Sequence, residues 1–228
     1  MRFLSCALTI LALVAPAALA GEPSRLRLEP HRFEAADGTT VDAELGELLV
    51  PENRARRDSR TIKLRFVRFR STAKRPGSPI VYLAGGPGGS GIGAARGTRF
   101  PLFMAMREFG DVIAFDQRGT GMSEPSLGCT EPYVVAPDEP LDRAKVGAAM
   151  AEAVGRCAER LRKAGVDLAG YTTRESAADL DDLRSALGAK KLTLWGISYG
   201  THLALATLKY YEPRVDRLIL AGVECLDC

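Results

Sequence analysis

The stretch Leu192-Thr193-Leu194-Trp195-Gly196-Ile197-Ser198-Tyr199-Gly200-Thr201 decides how this sequence folds. Residues 192–195 read as a short strand buried on both faces of a sheet. Residues 202–211 read as a helix. Between them stands G-x-S-x-G, the pattern of a serine held on a tight, strained strand-to-helix turn. Gly196 and Gly200 leave room for the two backbones to crowd together. The turn lifts the Ser198 hydroxyl to the carboxyl edge of the sheet and aims the Tyr199 N–H, first in the helix, at the same point. An accidental turn is the plain alternative, so a second motif is needed.

That second motif is Ala84-Gly85-Gly86-Pro87-Gly88-Gly89-Ser90-Gly91, which follows the apolar run 79–83. A loop this rich in glycine presents bare backbone N–H groups to something negative. Read alone, Gly86 to Gly91 fits G-x-G-x-x-G, and Asp116 ends the next strand, as in a dinucleotide-binding unit. Three features count against that reading. Pro87 removes one N–H from the turn. Residues 92–99 are spotted with glycine and arginine and lack a clean apolar stripe. Asp116 opens a second turn-rich loop, Gln117-Arg118-Gly119-Thr120-Gly121, rather than a simple crossover. Set at a strand end matching that of Ser198, the loop suits the second half of an oxyanion hole.

The rest of the chain agrees with an α/β layer fold, a mostly parallel sheet flanked by helices. Residues 112–115 and 218–221 are further short apolar runs. Residues 41–50 and 61–70 read as strands joined by a polar connection, an N-terminal hairpin. In Ile62-Lys63-Leu64-Arg65-Phe66 apolar residues alternate with charges, and Val67 breaks the alternation as a bulge would. Val146, Met150, Val154, Cys157 and Leu161 form one helical stripe ending near Gly165. Thr172 with Glu175 makes a capping box before Leu180, Leu183 and Leu187, and Gly188 closes that helix.

The 228 residues are 46% hydrophobic and 26% charged, enough for one sizeable domain. The formal net charge of +3 is small and mixed along the chain, which excludes a nucleic-acid footprint. Residues 1–20 are expected to be a signal peptide: Met1-Arg2 is positive, an apolar run follows, and Ala18-Leu19-Ala20 is an A-x-A cleavage pattern. Cleavage after Ala20 leaves residues 21–228, with no other segment of membrane-spanning length, and implies a secreted or periplasmic protein. An oxidising compartment permits disulfides. Cys129 and Cys157 are the candidate pair, tying a loop to the following helix, with two unpaired buried thiols as the alternative. Cys225 and Cys228 have C-x-x-C spacing without the helix start of a redox motif or further zinc ligands.

In this order, AGGPGGSG, DQRGTGMS (Asp116 to Ser123), YTTRESAADLDDLRSALG (Tyr171 to Gly188) and GISYGT (Gly196 to Thr201) resemble the secreted α/β-hydrolases of the proline iminopeptidase and tripeptidyl aminopeptidase group. The likeness runs from about residue 78 to about residue 223. It implies Ser198 as nucleophile, with the N–H groups of Tyr199 and Gly86, or Gly85, as oxyanion donors. Asp116 and Arg118 are read as a structural pair holding the loops beside the turn. Ala84 stands where the iminopeptidase branch usually has His, which favours the tripeptidyl aminopeptidase branch. The resemblance implies a peptide or small amide or ester substrate and no metal or organic cofactor.

A serine needs a base, and a third group to orient it. The chain has two histidines, His31 and His202. His31 precedes the sheet core, and His202 stands one turn along the helix after Ser198. The acids after Ser198 are Glu212, Asp216, Glu224 and Asp227, none followed by a histidine. In the resembled group the triad acid, the triad base, later strands and a lid all follow this point. The expectation is therefore the N-terminal portion of a hydrolase domain. The competing readings are an esterase or lipase on the same fold and an inactive fragment.

Overall fold

A computed structural model describes residues 25–134 and 142–226. The expected signal peptide and Cys228 lie outside the described residues. The chain forms β1 (Leu26–Glu34), β2 (Thr40–Pro51), β3 (Thr61–Phe69), β4 (Ile80–Leu83), α1 (Gly91–Arg96), α2 (Phe100–Met106), β5 (Val112–Phe115), α3 (Arg143–Lys163), α4 (Thr173–Ala186), β6 (Leu192–Ile197), α5 (Tyr199–Tyr211) and β7 (Val215–Ala221).

Seven strands make one mixed sheet in the order β1-β2-β3-β5-β4-β6-β7. The parallel half is β5, β4, β6 and β7. The first three strands run antiparallel, and β3 joins β5 antiparallel as well. The expected hairpin is β2–β3. It gains an edge strand, β1, that the sequence reading did not find: β1 alternates charged and apolar residues around Pro30, and most of its residues stay exposed or half-buried.

Alternation of side chains explains the short apolar runs. Val81, Leu83, Ile113, Phe115 and Leu194 point into a core covered by α4 and α5. Ile80, Tyr82, Val112, Ala114 and Trp195 point into a second core with Phe100 and Phe103 of α2. Tyr82 packs edge-on against Trp195, with ring centroids 4.8 Å apart. Every residue of β4 and β5 is buried, so these strands could not carry an alternating polar pattern.

Val67 is not a bulge. It pairs in unbroken register with Leu45 on β2 and Ala114 on β5. It is apolar because the end of β3 is covered on both faces: Val67 and Phe69 join the second core, while Phe66 faces the first. The α3 stripe is narrower than expected. Ala153, Cys157 and Leu161 are buried, whereas Met150 and Val154 face outward. A disulfide joins Cys129 to Cys157, with Cα atoms 5.5 Å apart, and so fixes the loop after the β5 turn to α3. Thr172 caps α4 as the capping pattern predicts, its hydroxyl accepting from the Glu175 N–H. Among the described residues no helix is long and apolar enough to cross a membrane.

Candidate active site

The chain leaves β4, builds β5 on one side of it, then crosses to place β6 on the other side. This reversal is a topological switch point, where a crevice opens outside the carboxyl ends of parallel strands. The glycine loop after β4 and the Ser198 turn after β6 both lie there.

Ser198 has φ 52° and ψ −127° and is the only non-glycine residue with positive φ among the described residues. Such a conformation costs about 1–3 kcal/mol and persists only where the surroundings enforce it. The glycines of the motif supply that enforcement. A Cβ on Gly200 would strike the backbone carbonyl of Leu83 at the end of β4, and a Cβ on Gly196 would strike the Gly200 carbonyl. The turn is thus pressed against its neighbouring strand by backbone packing. As first residue of α5, Tyr199 has an N–H with no partner inside the helix.

The glycine loop lies against the serine. A Cβ on Gly85 would stand 2.9 Å from the Ser198 Cβ and 3.5 Å from its Oγ. Gly86 follows with φ 125°, and its bond to Pro87 is cis. Ser90 caps α1: its Oγ accepts from the Gly93 N–H at 2.8 Å and donates to Asp116 Oδ1 at 2.7 Å. Because α1 has only six residues, the dinucleotide reading lacks the long helix it needs. What the loop faces is Ser198.

Asp116 and Arg118 both hold structure, but not as a pair with each other. Asp116 is fully buried and also accepts from the N–H groups of Ile92 and Met122, so it ties the glycine loop to the RGTG loop. Arg118 instead meets Asp179 of α4, at 2.7 Å through Nε and 2.6 Å through Nη2. It also donates to the carbonyls of Glu52, Gly170 and Pro51. Arg54 reaches the same Asp179 at 2.7 Å, and Glu175 and Asp182 besides. Burial pushes the Asp179 carboxyl above the usual carboxylate range, against the pull of both guanidiniums. Burial works against the charge on Arg54, yet its acidic partners, Asp179 foremost, raise the guanidinium further above its usual value. Sequence spacing could not show that Asp179 lies opposite Arg118, 61 residues away.

Beside Tyr199 a cleft opens between the glycine loop, the RGTG loop and the start of α4. Pro87, Thr120, Tyr171 and Ser176 line it. The Tyr199 hydroxyl stands 3.2 Å from Thr173 Oγ1. Burial pushes the Tyr171 hydroxyl up, and its hydrogen bond to Glu52 pushes it further.

Neither histidine reaches Ser198. His31 sits on β1, five strand positions from β6, about 24 Å at the usual strand spacing. His202 stacks on the Tyr199 ring at 5.7 Å, and its Nδ1 meets the Cys225 carbonyl at 3.2 Å. The group that does reach is one the sequence reading passed over. Ser198 Oγ donates to Glu224 Oε1 at 2.9 Å. The signal was there, an acid shortly after a strand adjacent to the turn, but its register against Ser198 is set by β7 pairing.

A family model described as the alpha/beta hydrolase fold matches residues 78–228. Serine protease Hip1 of Mycobacterium tuberculosis is 36% identical over 185 residues, covering 78% of this chain and 35% of that protein. Tripeptidyl aminopeptidase of Streptomyces coelicolor is 34% identical over 200 residues, covering 79% and 35%. Proline iminopeptidase of Xylella fastidiosa is 27% identical over 152 residues, covering 64% and 33%. The chain therefore spans about a third of the length of these curated relatives.

Proposed function

The chain belongs to the alpha/beta hydrolase fold family, and from that premise we propose that Ser198 is the nucleophile of a serine peptidase acting near peptide N-termini. The observation that carries this reading is the strained φ of 52° at Ser198, set at the sheet's switch point with Gly85 packed against it. The three relatives named above are a protease and two aminopeptidase-type enzymes by name, which favours amide over ester substrates.

In this reading Ser198 Oγ attacks the scissile carbonyl carbon. The oxygen becomes negative as the tetrahedral intermediate forms. The N–H groups of Tyr199 and Gly86 take up that charge, and removing one such donor elsewhere costs about 2.7–4 kcal/mol of barrier. Collapse expels the amine and leaves an ester on Ser198, which water then hydrolyses. The cleft beside Tyr199 would receive the substrate's side chains. We further propose an extracytoplasmic location: the leader-like residues 1–20 and the Cys129–Cys157 disulfide both support it.

The test uses matched tripeptide anilides with free N-termini and short-chain esters, on the purified protein and its Ser198→Ala variant. Anilide turnover is expected, falling at least about 1000-fold in the variant. Ester turnover without anilide turnover would sink the peptidase assignment. Equal anilide turnover in both proteins would remove Ser198 from the mechanism.

A further inference from the structure

We propose that Cys129 is a modification site, where a small thiolate such as that of glutathione exchanges into the Cys129–Cys157 disulfide and so releases one wall of the cleft beside Tyr199. The release bears on substrate only through the reading of Ser198 as nucleophile; the exchange itself does not rest on that reading.

The two sulfurs are unequal. Cys129 is exposed, whereas Cys157 is only 1% exposed. An attacking thiolate needs open approach to the sulfur it strikes, so the surroundings direct it to Cys129. The departing sulfur is then Cys157, and Arg160 Nη2 already donates to it from 3.6 Å. A guanidinium at that place favours the thiolate form. Exchange runs faster when the leaving thiol has a low pKa. The Glu131 carboxylate lies within 4.8 Å of both sulfurs and works the other way. Both of its oxygens are held by Arg160, at 2.6 and 3.3 Å, which blunts that opposition.

The exchange balances without an oxidant. The incoming thiolate gives a lone pair to Cys129 Sγ and forms the new S–S bond. The Cys129–Cys157 bond breaks, and its electron pair leaves on Cys157 Sγ, which takes a proton from solvent. In the reverse step the Cys157 thiolate attacks Cys129 Sγ and expels the small thiol.

Cys129 follows directly on the cleft wall, since Leu127 and Gly128 line the cleft. The Leu127 N–H donates to the Gly119 carbonyl at 3.0 Å, and the Leu127 side chain covers Gly119. Leu127 and Tyr171, both at the cleft, pack against Cys157, Leu161 and Val166. The wall and the disulfide thus share one small core. The other polar ties from residues 128–132 to α3 among the described residues are exposed: Arg160 to the Gly128 carbonyl and Glu131, and Arg156 to the Pro132 carbonyl. Exposed contacts of this kind hold weakly. The sulfur bond is therefore the principal restraint on this wall.

The test incubates the purified 228-residue chain with excess glutathione, quenches in acid and maps the adducts by mass spectrometry. Trp195 fluorescence checks that the chain stays folded. Mapping separates Cys129 from Cys6, Cys225 and Cys228. The expected result is a glutathione adduct on Cys129 with Cys157 left as a free thiol, formed at a rate within about tenfold of the urea-unfolded chain. An adduct chiefly on Cys157, no adduct on Cys129, or a slower rate than that would overturn the exchange site. Hydrogen exchange then reads the wall. In the adduct, and in Cys129→Ser with Cys157→Ser, the Leu127 amide should exchange at least about tenfold faster while the amides of β4 and β6 stay protected. An unchanged Leu127 amide in both would overturn the release of the wall. Loss of the Ser198 assignment in the anilide assay would leave both readouts standing, so the two readings fail separately.

Discussion

Replacing Asp179 by alanine strips the cluster that joins α4 to the loops flanking the cleft. Asp179 is fully buried and accepts three charge-assisted hydrogen bonds, two from Arg118 and one from Arg54. The Arg118 side chain is only 2% exposed, so without Asp179 its charge stays in the interior. Three backbone carbonyls still hold it there, and the Glu175 carboxylate, 3.6 Å from Nη2, offsets its charge only in part because it is shared with Arg54. Arg54 is more open at 24% and keeps Glu175 and Asp182, so the loss falls mainly on Arg118. Removing one partner of a buried ion pair costs about 3–5 kcal/mol. For a chain of this size that lowers Tm by about 6–20 °C. The assay is urea unfolding followed by Trp195, the only tryptophan, which is buried in β6. Asp179→Asn, which keeps the shape and part of the hydrogen bonding, should lose less. A loss under about 1 kcal/mol in Asp179→Ala would mean that Arg118 is adequately held by the carbonyls and Glu175, and Asp179 would not be what fixes α4.

Gly200→Ala places a methyl group on the Leu83 backbone carbonyl, where no flexible side chain can yield. It should cost about 1–3 kcal/mol or more in unfolding experiments and displace Ser198, whereas Gly147→Ala, open on all sides, should be tolerated. Cys129→Ser with Cys157→Ser opens a loop with a sequence separation of 28, worth about 3–4 kcal/mol by loop entropy. An unchanged unfolding midpoint after reduction would contradict that. Burial pushes the Glu52 carboxyl up, but hydrogen bonds from Arg60 and Tyr171 outweigh it and hold it below its usual value of 4.5. Glu44 is likewise held low, against burial, by Arg68 and Arg70. A carboxylate depressed in the folded state adds stability above its unfolded pKa and loses it as pH falls through the folded one. Stability should therefore hold at neutral pH and decline below about 4.5, and stability that rises on acidification through that range would refute the pairing.

The parallel half of the sheet was legible because β4, β5 and β6 are buried on both faces, which leaves short uninterrupted apolar runs. The serine turn was legible because backbone crowding admits only glycine at Gly196 and Gly200. β1 was not, since an edge strand has little to bury and its charges read as a loop. Val67 misled because its burial comes from neighbours that are distant in sequence. Asp116 and Arg118 were read as a structural pair, but Asp116 instead binds Ser90, Ile92 and Met122, and Arg118 finds its partners only when α4 and the loop after β2 fold back together. Glu224 was hidden for the same reason: its distance from Ser198 is fixed by the pairing of β7 with β6 and by Thr201.

The most direct measurement of the central claim is peptide mapping, by mass spectrometry, of the chain labelled with a fluorophosphonate probe. The expected result is one adduct, on the peptide containing Ser198, absent from Ser198→Ala. An adduct confined to another serine, threonine or tyrosine, with Ser198 unmodified, would contradict the assignment of Ser198 as nucleophile.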